Sequence, residues 1–417
     1  TAQQNSYVTI PRAANSFDNT EIAANVDEDI IDSLTGGRLV GSVTSFENFA
    51  ECPLRYYLRY GVDLKEREEF TFSPVNFGVV LHAVIREVCD EIKKNGESYY
   101  LISEEKRREM VKKSVAAITD IYQNSILKDS SRNSFMIKRM EDLADRTVWA
   151  MGEQLKCGDF VPFVFEHKFN MEVGDGDRKQ LMSGTIDRVD ICENGTDVYV
   201  RIIDYKTGKK DFNIVKTYYG IDIQLMVYME AAMKLVAKMR PGKNVIPAGV
   251  FYYNISDPIV SATTESAEEI EDKIKGELRL KGMVNSDKDI AEKMDNTEGT
   301  SLNIPVSRKA DGGFDSRRSK VMNTEQFNML GRFVDVRAID TADRIVGGDI
   351  RRSPYKDGQF SSCDRCPYGA VCGFSVDLPG CNYRKLKKFD DEVLWNNIKE
   401  GVDENGKKMD TGAEERD

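Results

Sequence analysis

Between residues 163 and 255 the chain reads strand, strand, strand, helix, strand, and this run restricts the fold more tightly than any other stretch. Phe163 to Val173, Gln180 to Cys192 and Val198 to Lys206 have strand-like patterning. Glu193-Asn-Gly-Thr-Asp197, between the last two, carries the Asn-Gly signal of a hairpin turn. The three segments make a meander. Helical spacing then runs from about Ile221 to Lys238, stopped by Arg240-Pro-Gly-Lys, and Ala248-Gly-Val-Phe-Tyr-Tyr-Asn-Ile255 reads as another strand. The expected fold class is α/β.

The flanks differ in texture. Residues 1–41 are polar and irregular and read as a linker or the tail of a preceding domain. The folded domain is placed at 42–390. Its first third is helical: a short helix interrupted at Pro53, with a Thr/Ser N-cap candidate and Glu47, then apolar spacing at Val80, Leu81, Val84, Ile85 and Val88, then a helical stretch from about Glu104 to Leu155. Residues 257–320 are charged and weakly patterned and read as an insertion. A helical run from Asn323 to Gly347 follows, and 391–417 reads as a charged, flexible tail.

No apolar run approaches the roughly 20 residues of a membrane span, and no signal peptide is visible, so the expected setting is the reducing cytoplasm, with no membrane partner. A net charge of −11 argues against a nucleic-acid partner unless basic groups are local, as at Lys209-Lys210, Arg317-Arg318 and Arg351-Arg352. Eight cysteines in 417 residues is no disulfide scaffold, and clustered thiols in a reducing compartment point to metal.

In Val198-Tyr-Val-Arg-Ile-Ile-Asp-Tyr-Lys206 the side chains alternate faces, so Asp204 and Lys206 share one face behind Val198, Val200 and Ile202. A carboxylate and an ammonium then sit together at the end of a buried strand. Hairpin pairing can bring Asp187, in Ser-Gly-Thr-Ile-Asp-Arg-Val-Asp190, beside Asp204. Two carboxylates suit a hard cation such as Mg2+ or Mn2+. Taken alone, an Asp-x-Lys tripeptide is more often only a cross-strand charge pair.

Its context resembles a known family. Gly78-Val-Val-Leu-His82, Glu166, Asp187, Asp204-Tyr-Lys206 and Gln224-Leu-Met-Val-Tyr228 occur in this order on matching element types, a pattern similar to the RecB-like branch of the PD-(D/E)xK nucleases. The resemblance implies a restriction-endonuclease-like core, a central mixed sheet flanked by helices, that hydrolyses DNA with Mg2+ or Mn2+. By it, Asp187, Asp204, the main-chain carbonyl of Tyr205 and His82 belong to the metal centre, and Lys206 is the catalytic lysine. Glu166 matches an acid on the strand before the hairpin, and Gln224 and Tyr228 match a helical motif that approaches the active site or DNA. His167 is read as structural.

Cys363-Asp-Arg-Cys366 and Cys372 form a compact thiol triplet, and Cys52, followed by Pro53, is the candidate fourth ligand. Cys381 is the rival fourth ligand, and zinc suits four thiolates as well as iron does. Cys89, Cys157 and Cys192 read as core residues. A distant lone cysteine followed by a C-terminal triplet resembles the iron-sulfur nuclease group, which implies a [4Fe-4S] cluster joining the N- and C-terminal segments. Pro247 to Pro258 and Leu280 to Val284 resemble the nuclease portion of AddAB-type helicase-nucleases. That implies an exonuclease acting on a single-stranded DNA end in double-strand-break repair, beside an AddA-type helicase-nuclease partner. A stand-alone CRISPR-type single-strand exonuclease and a catalytically idle DNA-binding module are the alternatives.

Overall fold

In a computed structural model the described residues are 26–27, 39–65, 74–121, 131–173, 180–261, 265–378 and 380–414. The N-terminal linker expected at 1–41 lies almost entirely outside them. After β1 (Val40–Ser42) the chain enters α1 (Val43–Glu51), a short α2 (Pro53–Tyr56) and a wide helical turn at Tyr57–Gly61. Then come the long α3 (Pro74–Lys94), α4 (Glu104–Ile121) and α5 (Ser131–Lys156). The meander is β2 (Val161–Val173), β3 (Gln180–Asn194) and β4 (Asp197–Lys206), within a residue or two of the reading at most ends. A single-turn α6 (Ile214–Tyr218) leads to α7 (Gln224–Met239) and β5 (Asn244–Asn254).

These strands form a seven-stranded mixed sheet. β3 pairs antiparallel with β2 and β4, β1 lies parallel to β3, and β5 lies parallel to β4. The helix α7 is therefore the crossover between two parallel neighbours, the connection that such pairing needs. The sheet extends through β6 (Lys281–Asn285), antiparallel to β5, and β7 (Val321–Met322), parallel to β6. The region read as an insertion at 257–320 therefore contributes a strand of the main sheet, besides α8 (Ala267–Glu277) and α9 (Lys288–Met294). Its charged surface residues hid buried Leu280, Val284, Ile290 and Met294.

Because β4 alternates, it feeds two cores. Val198, Val200 and Ile202 join the cluster with α1, α7 and α10 (Thr324–Val346), while Tyr199, Ile203 and Tyr205 join the cluster with α3, α4 and α5. The result is a helix–sheet–helix sandwich. The C-terminal segment adds a small sheet of β8 (Tyr355–Asp357), β9 (Phe360–Ser361) and β10 (Arg384–Lys385), with α11 (Gly369–Cys372) between. Residues expected to be a flexible tail form α12 (Asp391–Glu414) instead. Leu394 and Ile398, one turn apart, are buried in the first core, and Trp395 and Val402 pack against it, with Leu394, Ile398 and Val402 forming an i, i+4, i+8 stripe within a charged segment.

Under the sheet lies a buried ionic knot. Asp190 accepts from Arg188 Nε and Nη2, both at 2.7 Å, and from Arg201 Nε at 2.8 Å. The Arg201 guanidinium also lies over the Phe160 ring at 4.9 Å. Burial opposes charge on Asp190, but the two guanidinium groups outweigh it and hold the carboxyl below its usual range. Such a group stabilises the fold above its unfolded pKa of roughly 3.9, and the contribution is lost as pH falls through the lower folded value. Asp190→Asn, which leaves two buried cations short of a counter-charge, is expected to lose about 3–5 kcal/mol in denaturant unfolding at neutral pH. The gap to the parent chain should narrow at strongly acidic pH.

Candidate active site

The register of the meander sets the acids side by side. Arg188 pairs with Ile203 across β3 and β4, so the next rung puts Asp187 opposite Asp204. On the other edge, Phe165 opposite Arg188 and His167 opposite Ile186 bracket Glu166 across from Asp187. Glu166 breaks the strand's regularity: its φ is +46°, a left-handed conformation that non-glycine residues rarely hold without compensation. This turn brings its Oε1 to 3.7 Å from His82 Nδ1, whose other acidic neighbour is Asp187 Oδ1 at 3.4 Å. Donor atoms of His82, Glu166 and Asp187 all lie within 4.8 Å of one another.

The second half of the site is a relay along β4 and α7. Lys206 Nζ lies 2.6 Å from Asp204 Oδ2 and donates to Gln224 Oε1 at 2.8 Å, and Gln224 Nε2 donates to Tyr228 Oη at 2.9 Å. Helical spacing put Gln224 and Tyr228 on one face, and here they form one hydrogen-bonded unit. The Tyr228 ring meets Phe169 edge-on at 5.6 Å. Gly184 makes this approach possible, since a Cβ there would lie 2.7 Å from the Phe169 ring and 3.1 Å from that of Tyr228.

Electrostatics separate these groups. Burial and the charge of Asp187 push the Asp204 carboxyl up to about 7 against the pull of Lys206. Burial works against a charged His82, but hydrogen bonding to Asp187 and Glu166 prevails and raises it to about 10. Asp187 itself accepts the backbone N–H of Tyr205 at 2.6 Å, while the Tyr205 ring turns into the second core, edge-on to His82 and Tyr253 at 5.9 Å each.

Hard carboxylate and carbonyl oxygens suit Mg2+ or Mn2+, and the His82 imidazole is the softer donor of the set. The donor set is consistent with such an ion. His82, Glu166 and Asp187 converge, and Asp204 Oδ2 is buried without a well-directed hydrogen-bond donor despite its ion pair with Lys206. Beside Lys206, Thr207, Gly208 and Lys209 line a groove of about 1340 Å³ that also takes in Lys138, Arg139 and Lys281, with Asp142, Asp211 and Asp257 among its other lining residues. One residue in each of two candidate basic patches is already engaged: Lys210 Nζ pairs with Asp222 Oδ1 at 3.0 Å, and Arg351 pairs with Asp349 at 2.7 Å.

Cys52, Cys363, Cys366 and Cys372 line one recess with Tyr368 and Phe374, and no disulfide joins them. The rival Cys381 is buried and does not line that recess. Of the remaining thiols, Cys89 and Cys192 are buried, and Cys157 is half-buried. Burial raises the Cys52 thiol, while hydrogen bonds from the backbone of Arg55, Ser353 and Leu54 favour its thiolate. Burial likewise pushes Cys363 up to about 11. Four soft donors around one recess fit a thiophilic metal group. The two segments that carry these cysteines are also joined directly, since Arg384 Nη2 donates to the carbonyls of Ala50 and Glu51, and the Leu54 N–H donates to Arg351 O at 3.3 Å.

The sequence reading gave Glu47 only a capping role and passed over Asp222 and Tyr252. Tyr252 Oη donates to Asp222 Oδ1 at 2.6 Å, and Glu47 accepts two backbone N–H groups of α7. The only cue to Glu47 was a carboxylate at i+4 from Val43, on the apolar face of α1.

An α/β sandwich with converging acids at one end of a meander and an Asp-x-Lys strand defines a nuclease class. The PD-(D/E)XK nuclease superfamily model matches residues 41–373, and the chain belongs to that superfamily. Among named proteins it is similar to an ATP-dependent helicase/deoxyribonuclease subunit of Thermoanaerobacter sp. (strain X514), 33% identical over 380 residues that make up 88% of this chain and 33% of that protein. The proteins of the same name from Lachnoclostridium phytofermentans and Clostridium acetobutylicum are each 34% identical, over 93% and 89% of this chain and 34% and 33% of their own length. The chain thus spans about a third of these relatives. Among the described residues no helix is long and apolar enough to cross a membrane.

The Asp187 carboxylate has a structural duty that can be separated from any ligand. Asp187→Ala orphans the buried Tyr205 N–H and is expected to cost about 1–3 kcal/mol in denaturant unfolding. Asp187→Asn keeps an oxygen acceptor and should retain most of that stability.

Proposed function

We propose that the chain is a divalent-metal-dependent DNA exonuclease, the nuclease part of an AddAB-type helicase-nuclease in double-strand-break repair, acting on a single-stranded end in the bacterial cytoplasm. The observation that carries this is the pairing of Asp187 and Asp204 in one buried corner, with the Lys206 ammonium beside Asp204 and the His82 imidazole beside Asp187, a ring that coordinates a metal only in its neutral form. Asp187, Asp204, the Tyr205 carbonyl and His82, with Glu166 beside them, would hold Mg2+ or Mn2+. When bound, such an ion supplies Lewis-acid polarisation of the phosphodiester and lowers the pKa of bound water.

The chain's own residues do the rest. Asp204 and Gln224 each hold Lys206 Nζ, leaving it to present its remaining proton to the charge that develops on the reacting phosphate. Tyr228 locks Gln224 in the orientation that keeps its oxygen on the lysine. Lys138, Arg139, Lys209 and Lys281 give the adjoining groove local positive charge for a DNA backbone within an acidic chain. The names of the relatives support the helicase-linked setting, with an AddA-type helicase-nuclease as partner. A stand-alone exonuclease would act without that partner. The retained acids and lysine favour catalysis over an idle binding module.

Incubated with Mg2+ and end-labelled single-stranded DNA, the chain is expected to release short products. Lys206→Ala should lower kcat by about 10²–10³. Asp204→Ala should abolish cleavage, and an unchanged rate in that variant would sink the assignment.

At the four thiols we propose a [4Fe-4S] cluster, held by Cys52, Cys363, Cys366 and Cys372, with zinc as the alternative. It would serve as a structural clasp and not as a redox catalyst. Anaerobically purified protein should contain iron and acid-labile sulfide and absorb visible light, and Cys52→Ser should lose all three. Stoichiometric zinc without sulfide would replace the cluster in this account.

A further inference from the structure

We infer that Glu47 is a positioning residue for the reaction, capping the helix that carries Gln224 so that Gln224 can hold Lys206. The inference rests on the nuclease reading above. Several helices here carry their own cap: Asn213 on α6, Ser266 on α8, Asp287 on α9 and Asn323 on α10 each accept an N–H of the first turn. The N-cap of α7 is Ile223, whose side chain has nothing to offer. The first N–H groups of a helix have no partner within it. For α7 the partner comes from another element: Glu47 Oε1 accepts from Ile223 N at 2.9 Å and from Gln224 N at 3.0 Å, across 176 and 177 residues of sequence.

The second of those bonds falls on the very residue whose side chain binds Lys206 at 2.8 Å. Glu47 therefore stands two contacts from the lysine ammonium without touching it. A carboxylate here also faces the positive end of the α7 dipole, so its charge and its geometry act together. Burial pushes its proton affinity up, to about 7, despite Lys210, so the placement carries an electrostatic cost that a surface residue would avoid.

The position of Glu47 in the chain adds a consequence. It lies on α1, which ends immediately before Cys52, and the last carbonyls of that helix are gripped by Arg384. The same short helix therefore touches the thiol recess at one end and the catalytic helix along its side. Seating the clasp correctly sets where Gln224, and through it Lys206, can stand.

The test is a double-mutant cycle in the full chain with Glu47→Ala, Gln224→Ala and the pair, together with Glu47→Gln. Glu47→Ala should lower kcat about tenfold, the scale of one hydrogen bond to a charged group, with KM within about twofold. Because Glu47 acts through Gln224, the double variant should be no slower than Gln224→Ala alone, and Glu47→Gln, which keeps an oxygen acceptor, should recover most of the loss. Independently of activity, the side-chain amide resonance of Gln224 should move toward that of a free amide in Glu47→Ala and stay in place in Glu47→Gln. If Glu47→Ala does not fold, Glu47→Asp, shorter by one methylene, takes its place. Losses that multiply in the double variant, or a Gln224 amide indifferent to Glu47, overturn the inference. A parent chain that cleaves no DNA overturns the nuclease reading instead, and the amide resonance still decides the role of Glu47.

Discussion

Two carboxylates side by side at the buried end of a sheet repel each other strongly, and most of what surrounds Asp187 and Asp204 is an answer to that repulsion. Lys206 pairs with one and His82 approaches the other, while the Tyr205 N–H is spent on Asp187. Each answer needs a different element in place: α3 for His82, the hairpin register for the acids, and α7 for the glutamine that steadies the lysine. A corner so acidic is tolerated because cations complete it. The strained backbone of Glu166 adds a third carboxylate, which a purely structural site would have no reason to collect.

Much of this was legible in the residues. Alternation in Val198 to Lys206 placed Asp204 and Lys206 on one face, and the Asn-Gly turn fixed the hairpin that brings Asp187 across. The (i, i+4) spacing of Gln224 and Tyr228 anticipated their hydrogen bond. These relations are local, or separated by one tight turn, and strand and helix geometry carry them over short distances. The α/β class follows from the same run.

Other features were not legible, because they depend on which distant segments meet. Glu47 looked like part of its own helix's capping arrangement, yet Ser42 caps α1 and Glu47 serves α7. Residues 281–285 sit in a charged stretch whose few apolar positions match a strand only once β5 lies beside it. The helix α12 rests on the stripe Leu394, Ile398 and Val402 with Trp395, whose burial depends on the distant core residues it meets. The thiol grouping falls between these cases. The triplet was visible, but only the fold brings Cys52 into the same recess and leaves Cys381 out of it.

The segments around residues 50–54 and 351–384 thus meet at a point adjacent to the helix that steadies Lys206, so this joint and the candidate site form one unit. The most direct test of its centre is diffraction from crystals soaked in Mn2+, read as anomalous scattering above and below the manganese edge. The account predicts a peak between the Asp187 and Asp204 carboxylates, within coordination distance of both. No peak there at saturating Mn2+, with the site open to solvent in the lattice, would contradict it.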